Sequence, residues 1–363
     1  MSWSLLLMGT HAALMGQPPE PLLGTRTYPG VVAGARSYLR RVLRRSLGRS
    51  SGPVIFMYHR IAETTCDPWG ISVRPARFRE QLEHLRAHWT ILAMDELVAA
   101  LEAQALPRHA AALTFDDGYA DNAVVARPIL EDYGIPATMF LTTGSLGSPI
   151  PYWWDELAIL VLERPQAAHI DCEAGGIRLT AQWESQESPP PALRAWRVGR
   201  MPPPGPRARA YLALWTALQR LQPAQREEAM TAFRERLCPT PAFSSEILPM
   251  SVAQAHALAS AKIAVGGHAR SHAPLPVLSE QEQRSEIEGC RADLLRLCGA
   301  TRVPGFAYPH GEWDAATRSI VMDAGFSWAV TTSGASVNAQ KFDRYALPRI
   351  QVDDSATDLS DYR

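Results

Sequence analysis

The sequence predicts an α/β protein whose parallel strands form a barrel-like sheet. Short apolar runs alternate with helical patterns over 53–145 and again over 250–350, and this alternation is typical of parallel strands joined by crossover helices. Acidic or imidazole side chains directly follow two of the apolar runs, as expected at the strand ends where the sites of such folds collect. The alternation stops between 144 and 250, which predicts an insertion into the barrel.

The predicted elements follow one another through both halves of the chain. Short apolar runs indicate strands, and apolar residues three or four positions apart indicate helices. The predicted strands are 53–58, 89–92, 110–115, 136–142, 263–265, 303–308, 326–332 and 345–352. The predicted helices are 75–88, 94–106, 123–133, 251–261, 280–298 and 313–324.

The insertion, taken as 148–249, is predicted to be mostly helical. Its helical patterns cover 151–162, 209–221 and 224–237. Tyr152, Trp153 and Trp154 open the first of these helices, and aromatic faces suit the apolar CH surfaces of sugar rings. Three aromatic residues at the start of a helix more often anchor packing, and we prefer that interpretation.

Residues 1–50 are predicted to precede the barrel, which covers 51–147 and 250–355. Proline and glycine are frequent over 16–34, which predicts an irregular leader. Over 36–49 apolar residues fall at helical spacing among many arginines, which predicts a basic amphipathic helix. We expect this helix to pack on the barrel with its arginine face in water. The alternative is peripheral contact with an anionic membrane.

The composition is that of an ordinary globular protein. The formal net charge of −1 gives no bias toward nucleic acid, so no nucleic-acid partner is predicted. The 5 cysteines form no C-x-x-C pair, which argues against a cysteine zinc site and favours a reducing compartment. No apolar run reaches the length of a membrane span, about 18 to 20 residues, and 3–15 lacks the basic start of a signal peptide. We expect a cytoplasmic protein, either free or peripheral to the inner membrane, with the cell envelope as the alternative.

Asp116 and Asp117 are adjacent carboxylates at the end of the apolar run 110–115. Two such side chains repel one another, and holding both near one point is costly unless a cation or a proton neutralises one of them. Successive residues at a strand end point in different directions, so one carboxylate can bind an ion while the other faces a substrate. An isolated Asp-Asp-Gly most often forms a turn, and the motif therefore gains weight only in combination with others.

His268 and His272 lie four residues apart, just after the predicted strand 263–265. One carboxylate and two imidazoles form a three-ligand set that leaves a coordination position open, as in catalytic rather than structural zinc sites. The same spacing occurs in the zincin helix, but that motif needs a glutamate after the first histidine, where this chain has Ala269. The two histidines are therefore placed on a loop that shares an ion with an aspartate.

These motifs together resemble those of the polysaccharide deacetylases, the NodB-homology or carbohydrate esterase family four enzymes. Residues 114–119 (Thr-Phe-Asp-Asp-Gly-Tyr) are similar to the first family motif, 268–272 to the second, and 306–311 (Phe-Ala-Tyr-Pro-His-Gly) to a variant of the third. The resemblance covers 53–145 and 250–350. It implies a distorted, incomplete (β/α) barrel and a metal-dependent hydrolase that removes N-acetyl groups from an amino-sugar polysaccharide or oligosaccharide.

The resemblance also implies roles for individual residues. Asp116 would be the general base that activates the attacking water. The residues that would hold the divalent ion are Asp117, His268 and His272. Zinc is the expected ion, with cobalt or nickel as alternatives. The residues that would form the oxyanion and substrate site are His310, through its backbone N–H, together with Tyr308, Pro309 and His59.

Two departures from the family pattern lead to further hypotheses. The third motif of the family usually carries an arginine that orients the base, but this chain has Ala307 there, and we expect Arg349 to orient Asp116 instead. The family usually ends with a Leu-x-His motif whose histidine protonates the leaving amine, and no such histidine follows His310. The candidate proton donors are therefore His310 and His59.

Other functions are compatible with the same residues. Some members of the family cleave O-acetyl esters of an acetylated glycan. A non-catalytic carbohydrate-binding barrel would explain the altered third motif, although such a protein would not need Asp116. An amidase that acts on substrates other than sugars would use the same site. In the leading hypothesis the partner is an acetylated glycan.

Overall fold

The computed structural model of the protein describes residues 52–186, 190–237, 243–259 and 262–362. The leader and the basic amphipathic helix predicted over 1–50 lie outside these residues. No helix within the described ranges combines the length and the apolar character that are needed to cross a lipid bilayer.

A curled sheet of parallel strands forms the centre of the described fold. The strands of the described residues, in chain order, are β1 (Val54–Tyr58), β2 (Arg60–Ile61), β3 (Ser72–Val73), β4 (Thr90–Ile91), β5 (Ala110–Phe115), β6 (Ala137–Leu141), β7 (Ala168–Ala174), β8 (Ile177–Trp183), β9 (Ile263–Gly267), β10 (Gly305–Ala307), β11 (Trp328–Val330) and β12 (Ile350–Gln351). Two pairs, β2 with β3 and β7 with β8, form separate small sheets. The central sheet has the order β11-β10-β9-β6-β5-β1-β12, with β4 beside β5, and its pairs are parallel. Val330 also pairs with Leu347, just before β12, so the two ends of the sheet approach one another. The predicted incomplete (β/α) barrel is confirmed.

Helices surround this sheet and also form a large part of the insertion. They are α1 (Pro75–His88), α2 (Met94–Glu102), α3 (Arg127–Tyr133), α4 (Trp153–Ala158), α5 (Pro191–Ala195), α6 (Pro206–Gln219), α7 (Pro223–Leu237), α8 (Val252–Leu258), α9 (Glu280–Leu297) and α10 (Ala315–Asp323). The start of α9 is set by a capping box, in which Ser279 Oγ accepts from the N–H of Glu282 and Glu282 Oε2 accepts from the N–H of Ser279. α9 packs behind β9, which carries the first of the predicted ligand histidines at its end.

β5 is the strand that positions the acidic pair. Each of its residues is buried, which explains why a continuous apolar run encodes it rather than an alternating pattern. β5 lies between β1 and β6, and β6 pairs with β9 on its other side. Because parallel strands end at the same edge of a sheet, the residues that follow β5 and β9, Asp116 and His268, are brought to one edge.

The insertion contains a β-hairpin that was not predicted from the sequence. β7 and β8 pair antiparallel, and the turn between them is Gly175-Gly176, with φ of 57° and 72°. Two glycines between alternating runs are a recognised hairpin signal, because this turn needs positive φ at both positions. The hairpin, α4, α6 and α7 pack around a hydrophobic cluster of their own, next to that of the barrel.

Several predicted elements are shorter in the structure. The helix predicted over 94–106 ends at Glu102, and the strands predicted over 326–332 and 345–352 reduce to β11 and β12. Residues beside the two short strands still exchange backbone hydrogen bonds, such as Thr331 N to Leu347 O at 2.8 Å. These hydrogen bonds are too irregular to continue β11 and β12 as strands.

β9, by contrast, is longer than predicted. The sequence analysis ended this strand at Val265 because two glycines follow, yet the strand continues through Gly266 and Gly267. A Cβ on Gly266 would lie 2.4 Å from Cδ1 of Phe140 in β6. Glycine is therefore present for the close approach of two strands rather than to end one.

Gly311, the last residue of the third motif, offers a test of this part of the fold. Its φ is +72°, and a Cβ there would lie 2.1 Å from Thr332 Oγ1. Gly134 has a similar φ of +67° with nothing within 4 Å. We expect Gly134→Ala to cost about 1 kcal/mol of unfolding free energy from backbone strain alone. Gly311→Ala should cost a further 1–3 kcal/mol, roughly, because of the clash.

The free energies of unfolding of both variants are measured by chemical denaturation. Equal losses in the two variants would contradict the placement of Gly311 against Thr332.

Candidate metal centre and active site

Asp117, His268 and His272 meet at the carboxyl edge of the barrel. Asp117 Oδ1 lies 3.3 Å from Nε2 of His268 and 3.3 Å from Nε2 of His272. One ligand atom from each residue lies within 4.8 Å of the other two, and the three side chains are buried. The structure thus brings together the three residues that were predicted to share an ion, although 151 residues separate Asp117 from His268 along the chain.

The geometry of this cluster fits a divalent ion. Two zinc ligand bonds of about 2.0–2.1 Å at a tetrahedral angle place their donor atoms about 3.3 Å apart, which is the separation found on both sides of Asp117. Asp117 Oδ1 is also buried without a hydrogen-bond partner among the described residues. His268 Nδ1 lies 2.7 Å from the carbonyl oxygen of Ala307. A proton on Nδ1 would be donated to that carbonyl and would leave the Nε2 lone pair for an ion.

The charge state of Asp117 also suits a ligand. Burial raises the pKa of its carboxyl, but His268 and His272 on either side lower it, and the result lies well below the ordinary value. An ionised carboxylate is the form that binds a cation.

The backbone at Asp117 makes the two neighbouring carboxylates diverge. Asp117 has φ of +74° and Gly118 has φ of +85°, both in the left-handed region. The Asp117 carbonyl accepts hydrogen bonds from Tyr152 Oη at 2.5 Å and from Thr142 N at 3.1 Å. Left-handed backbone is unfavourable for residues other than glycine and persists where surrounding contacts impose it, often at functional sites. Here it turns Asp117 toward the histidines and away from Asp116.

Asp116 faces Arg349 instead. The guanidinium donates from Nη1 to Oδ1 and from Nη2 to Oδ2, each at 2.6 Å. Arg349 is fully buried, and it also donates to Thr114 Oγ1 and to Thr331 O, both at 3.0 Å. Such a two-point contact fixes the plane of the carboxylate as well as its position.

The pKa of Asp116 follows from these contacts. Burial raises the pKa, but the charge of Arg349, followed by that of His268, lowers it below the ordinary value. Asp116 is therefore ionised near neutral pH and ready to accept a proton. Arg349 was the replacement expected for the arginine that is missing at Ala307, and the structure places it in contact with Asp116.

The two candidate proton donors have different neighbours. His59 lowers the pKa of both Asp116 and Asp117 and so lies beside the acidic pair. Its backbone carbonyl accepts from Asn122 Nδ2 at 2.7 Å. His310 lies with its ring centroid 4.5 Å from that of His272, on a turn where its own φ is +57°.

Tyr308 and Pro309, predicted to lie beside the substrate, are both buried. The Tyr308 hydroxyl donates to the carbonyl of Tyr345 at 2.9 Å, and its ring belongs to the barrel core. The prediction that the Tyr308 side chain contacts substrate is therefore corrected, because the phenol is directed into the protein. Pro309 forms the start of the turn that carries His310.

Three contacts of the site were not predicted. Tyr152 donates to the Asp117 carbonyl, the Trp154 ring lies 4.6 Å from that of His272, and Thr114 holds Arg349. Burial of Tyr152 and Trp154 confirms their interpretation as packing residues. Their position at the start of the insertion, just after the chain leaves the barrel, is the signal that could have placed them against the site.

A family model described as polysaccharide deacetylase matches residues 103–166 and 240–329. These two segments contain the acidic pair and both ligand histidines. The chain therefore carries a polysaccharide deacetylase domain in these segments. Members of this family are hydrolases that act on acetylated polysaccharides and are generally metal-dependent. No curated protein sequence matches the chain significantly.

Solved deacetylase structures share the fold of the deacetylase domain at low sequence identity. BC0361, a polysaccharide deacetylase from Bacillus cereus, is 14% identical with a TM-score of 0.51, over 86% of this chain and 69% of that one. IcaB from Ammonifex degensii is 17% identical with a TM-score of 0.50, over 86% and 97%. A de-N-acetylase from Aggregatibacter actinomycetemcomitans is 12% identical with a TM-score of 0.50, over 86% and 99%. At these identities the likeness concerns the fold alone.

The metal centre predicts how single substitutions change zinc binding. We expect the protein to bind about one zinc ion per chain at its three-ligand site, and Asp117→Ala or His268→Ala to abolish binding. Asp116→Asn should retain zinc, because Asp116 faces Arg349. At a free zinc concentration about a hundredfold above the dissociation constant, the free energy of unfolding should rise by about 2.7 kcal/mol.

Metal analysis after dialysis and thermal denaturation with and without zinc measure these effects. Zinc that is retained by Asp117→Ala but lost from Asp116→Asn would contradict the assignment.

Proposed function

We propose that this protein is a metal-dependent hydrolase that removes N-acetyl groups from an amino-sugar polysaccharide or oligosaccharide. The observation that carries the proposal is the pairing of two different carboxylates with two different partners. Asp116 is buried, ionised and clamped by Arg349, while Asp117 joins two histidines in an ion-binding cluster. One structural relative is a de-N-acetylase, which supports nitrogen rather than oxygen as the leaving atom.

Asp116 is the general base in this proposal. Each carboxylate oxygen accepts one hydrogen bond from Arg349 and has a further lone pair. The carboxylate can therefore take a proton from water without losing its orientation. Arg349 keeps the base ionised and fixes its direction, and Thr114 and Thr331 in turn fix Arg349.

Asp117, His268 and His272 hold the divalent ion, which we expect to be zinc, with cobalt or nickel as alternatives. When bound, such an ion polarises the acetyl carbonyl and lowers the pKa of water. The backbone N–H of His310 is the proposed donor to the oxyanion, by its position in the third motif. Tyr152 and Trp154 cover the back of the cluster and limit the access of bulk water.

The leaving amine needs a proton from a nearby acid. A proton donor needs surroundings that tolerate positive charge. His59 lies beside the two carboxylates, whereas His310 lies against another imidazole. We therefore propose His59 as the donor and keep His310 as the alternative.

Other functions use the same geometry. An O-acetyl esterase would need the same base and ion but no proton donor as strong, because an alkoxide leaves more readily than an amide anion. A non-catalytic carbohydrate-binding barrel gives no reason to bury a clamped, ionised Asp116. An amidase on substrates other than sugars would share the whole site.

Cellular location remains a prediction. The basic helix over 36–49, on which membrane contact was predicted, lies outside the described residues. We keep the cytoplasm as the proposed location.

Acetate release from a panel of acetylated glycans tests the proposed function. Chelated protein is given zinc or cobalt and incubated with N-acetylglucosamine oligomers or with acetylated xylan. We expect acetate from the N-acetyl substrate only, and only with metal. Release from xylan alone would identify the esterase. A metal-loaded protein that releases acetate from no substrate would overturn the proposal in favour of the binding barrel.

Removal of Arg349 tests how the base is held. We expect Arg349→Ala to lower kcat about 100-fold or more, the usual scale for impairing general-base catalysis, while zinc stays bound. Arg344→Ala is the matched control, because Arg344 lies nearby but pairs with Glu102 at the surface. An unchanged kcat in Arg349→Ala would end the hypothesis that Arg349 orients Asp116.

The pH dependence of kcat/KM distinguishes the two candidate proton donors. The rate falls on the alkaline side when the acid loses its proton, so a variant that lacks the acid loses this limb. We expect His59→Ala to abolish the alkaline limb and His310→Ala to keep it. The reverse result would assign the proton to His310.

A further inference from the structure

Arg226, on α7 of the insertion, is a buried cation without an ion pair. Its side chain is 4% exposed, and Nη1 has no hydrogen-bond partner among the described residues. The acids that influence it, Glu286 and Glu227, act only through space. Glu286 is committed elsewhere: Oε2 accepts from the N–H groups of Arg270 and Ser271, each at 2.8 Å.

An unpaired buried guanidinium is unfavourable, and buried charges in proteins are normally paired. Burial lowers the pKa of Arg226 to about 10. The nearest aromatic partner is Trp153, with the ring centroid 5.2 Å from Arg226 Cζ. A cation–π contact of this kind compensates for only part of the lost hydration. The folded protein therefore keeps a buried positive charge that its own side chains do not fully compensate.

A continuous series of ring contacts links Arg226 to the metal centre. Trp153 packs edge-on against Trp154 at 5.7 Å, Trp154 lies 4.6 Å from His272, and His272 lies 4.5 Å from His310. Arg226 thus lies behind the rings that pack against the ligand histidine and the turn of the proposed oxyanion donor.

This neighbourhood holds several buried nitrogen atoms that make no hydrogen bond. The nitrogens without a hydrogen-bond partner in the described part of the chain are Arg226 Nη1, Trp153 Nε1, His272 Nδ1 and His310 Nε2. The first two are donors only, and His272 Nδ1 becomes a donor when Nε2 faces the ion. Such surroundings suit a negatively charged group.

We propose that Arg226 is a positioning residue of the active site, whose charge partner is the anion that the reaction itself forms. This inference rests on the proposed deacetylation. Water oxygen bonds to the acetyl carbon, Asp116 takes the water proton, and the carbonyl electron pair moves to oxygen as an oxyanion. The C–N bond then breaks, the amine takes a proton from the histidine donor, and acetate is released. Arg226 favours the two anionic species, the oxyanion and acetate, over the neutral substrate.

The proposal gives the insertion a function in the reaction. α7 supplies a charge beside α4, and Trp154 of α4 in turn packs against His272. Because this charge is not fully compensated until the anion forms, it should weaken the resting fold and favour the reacting state.

Replacement of Arg226 by an uncharged side chain of similar length tests the proposal. We expect Arg226→Met to lower kcat about tenfold to 100-fold, somewhat less than the loss of a direct oxyanion donor. KM for a neutral acetylated substrate should stay within about twofold, because only charged species are affected. The dissociation constant of acetate should rise about tenfold by the same argument. The melting temperature should stay level or rise, since an unpaired buried charge is removed.

Two further variants complete the test. Arg226→Lys keeps the charge and should retain more of kcat and of acetate binding than Arg226→Met. Arg236→Met is the matched control, because Arg236 lies on the same helix but is exposed and donates to His169 O. It should change none of these quantities.

A purely structural role would give a different result. A lower melting temperature in Arg226→Met with unchanged acetate binding would overturn the proposal, and so would an unchanged kcat. Acetate binding is measured by calorimetry on zinc-loaded protein without turnover. If no acetylated glycan is hydrolysed, the proposed function fails, yet loss or retention of acetate binding in Arg226→Met still decides the role of Arg226.

Discussion

The repulsion between two adjacent carboxylates is the constraint on which the site depends. β5 delivers Asp116 and Asp117 to the same buried edge, where two unpaired charges would destabilise the fold. The left-handed backbone at Asp117 resolves this conflict by turning the two side chains apart. Each then meets its own partner, Arg349 for Asp116 and the two imidazoles of the proposed ion site for Asp117. The proposed base, Asp116, and the proposed ion site at Asp117 are therefore distinct but lie next to each other.

Much of this arrangement is predictable because local sequence encodes it. The apolar run of β5 and the acidic pair that follows it identify a strand end, and parallel pairing places His268 at the same edge. Resemblance to the deacetylases then specified which carboxylate faces the ion. Arg349 was expected to orient Asp116 because the third motif has alanine in place of the usual arginine and Arg349 lies on a late predicted strand. Its contact with Asp116 crosses 233 residues and no spacing rule predicts it.

The features that were not predicted depend on tertiary packing. Tyr152 and Trp154 are ordinary packing residues by sequence, and only the path of the insertion places them against Asp117 and His272. Tyr308 is part of a motif, yet its phenol turns into the core. The hairpin of β7 and β8 had a local signal in its paired glycines. Arg226 had none, because its lack of a partner appears only when the whole fold is assembled.

The central claim is that one carboxylate and two imidazoles hold an ion beside a second, clamped carboxylate. Anomalous X-ray diffraction at the zinc edge, from crystals of zinc-loaded protein, tests this claim most directly. We expect one strong peak about 2 Å from Asp117 Oδ1, His268 Nε2 and His272 Nε2, with Asp116 still bound to Arg349. A peak on Asp116, or no peak within reach of the two histidines, would contradict the account.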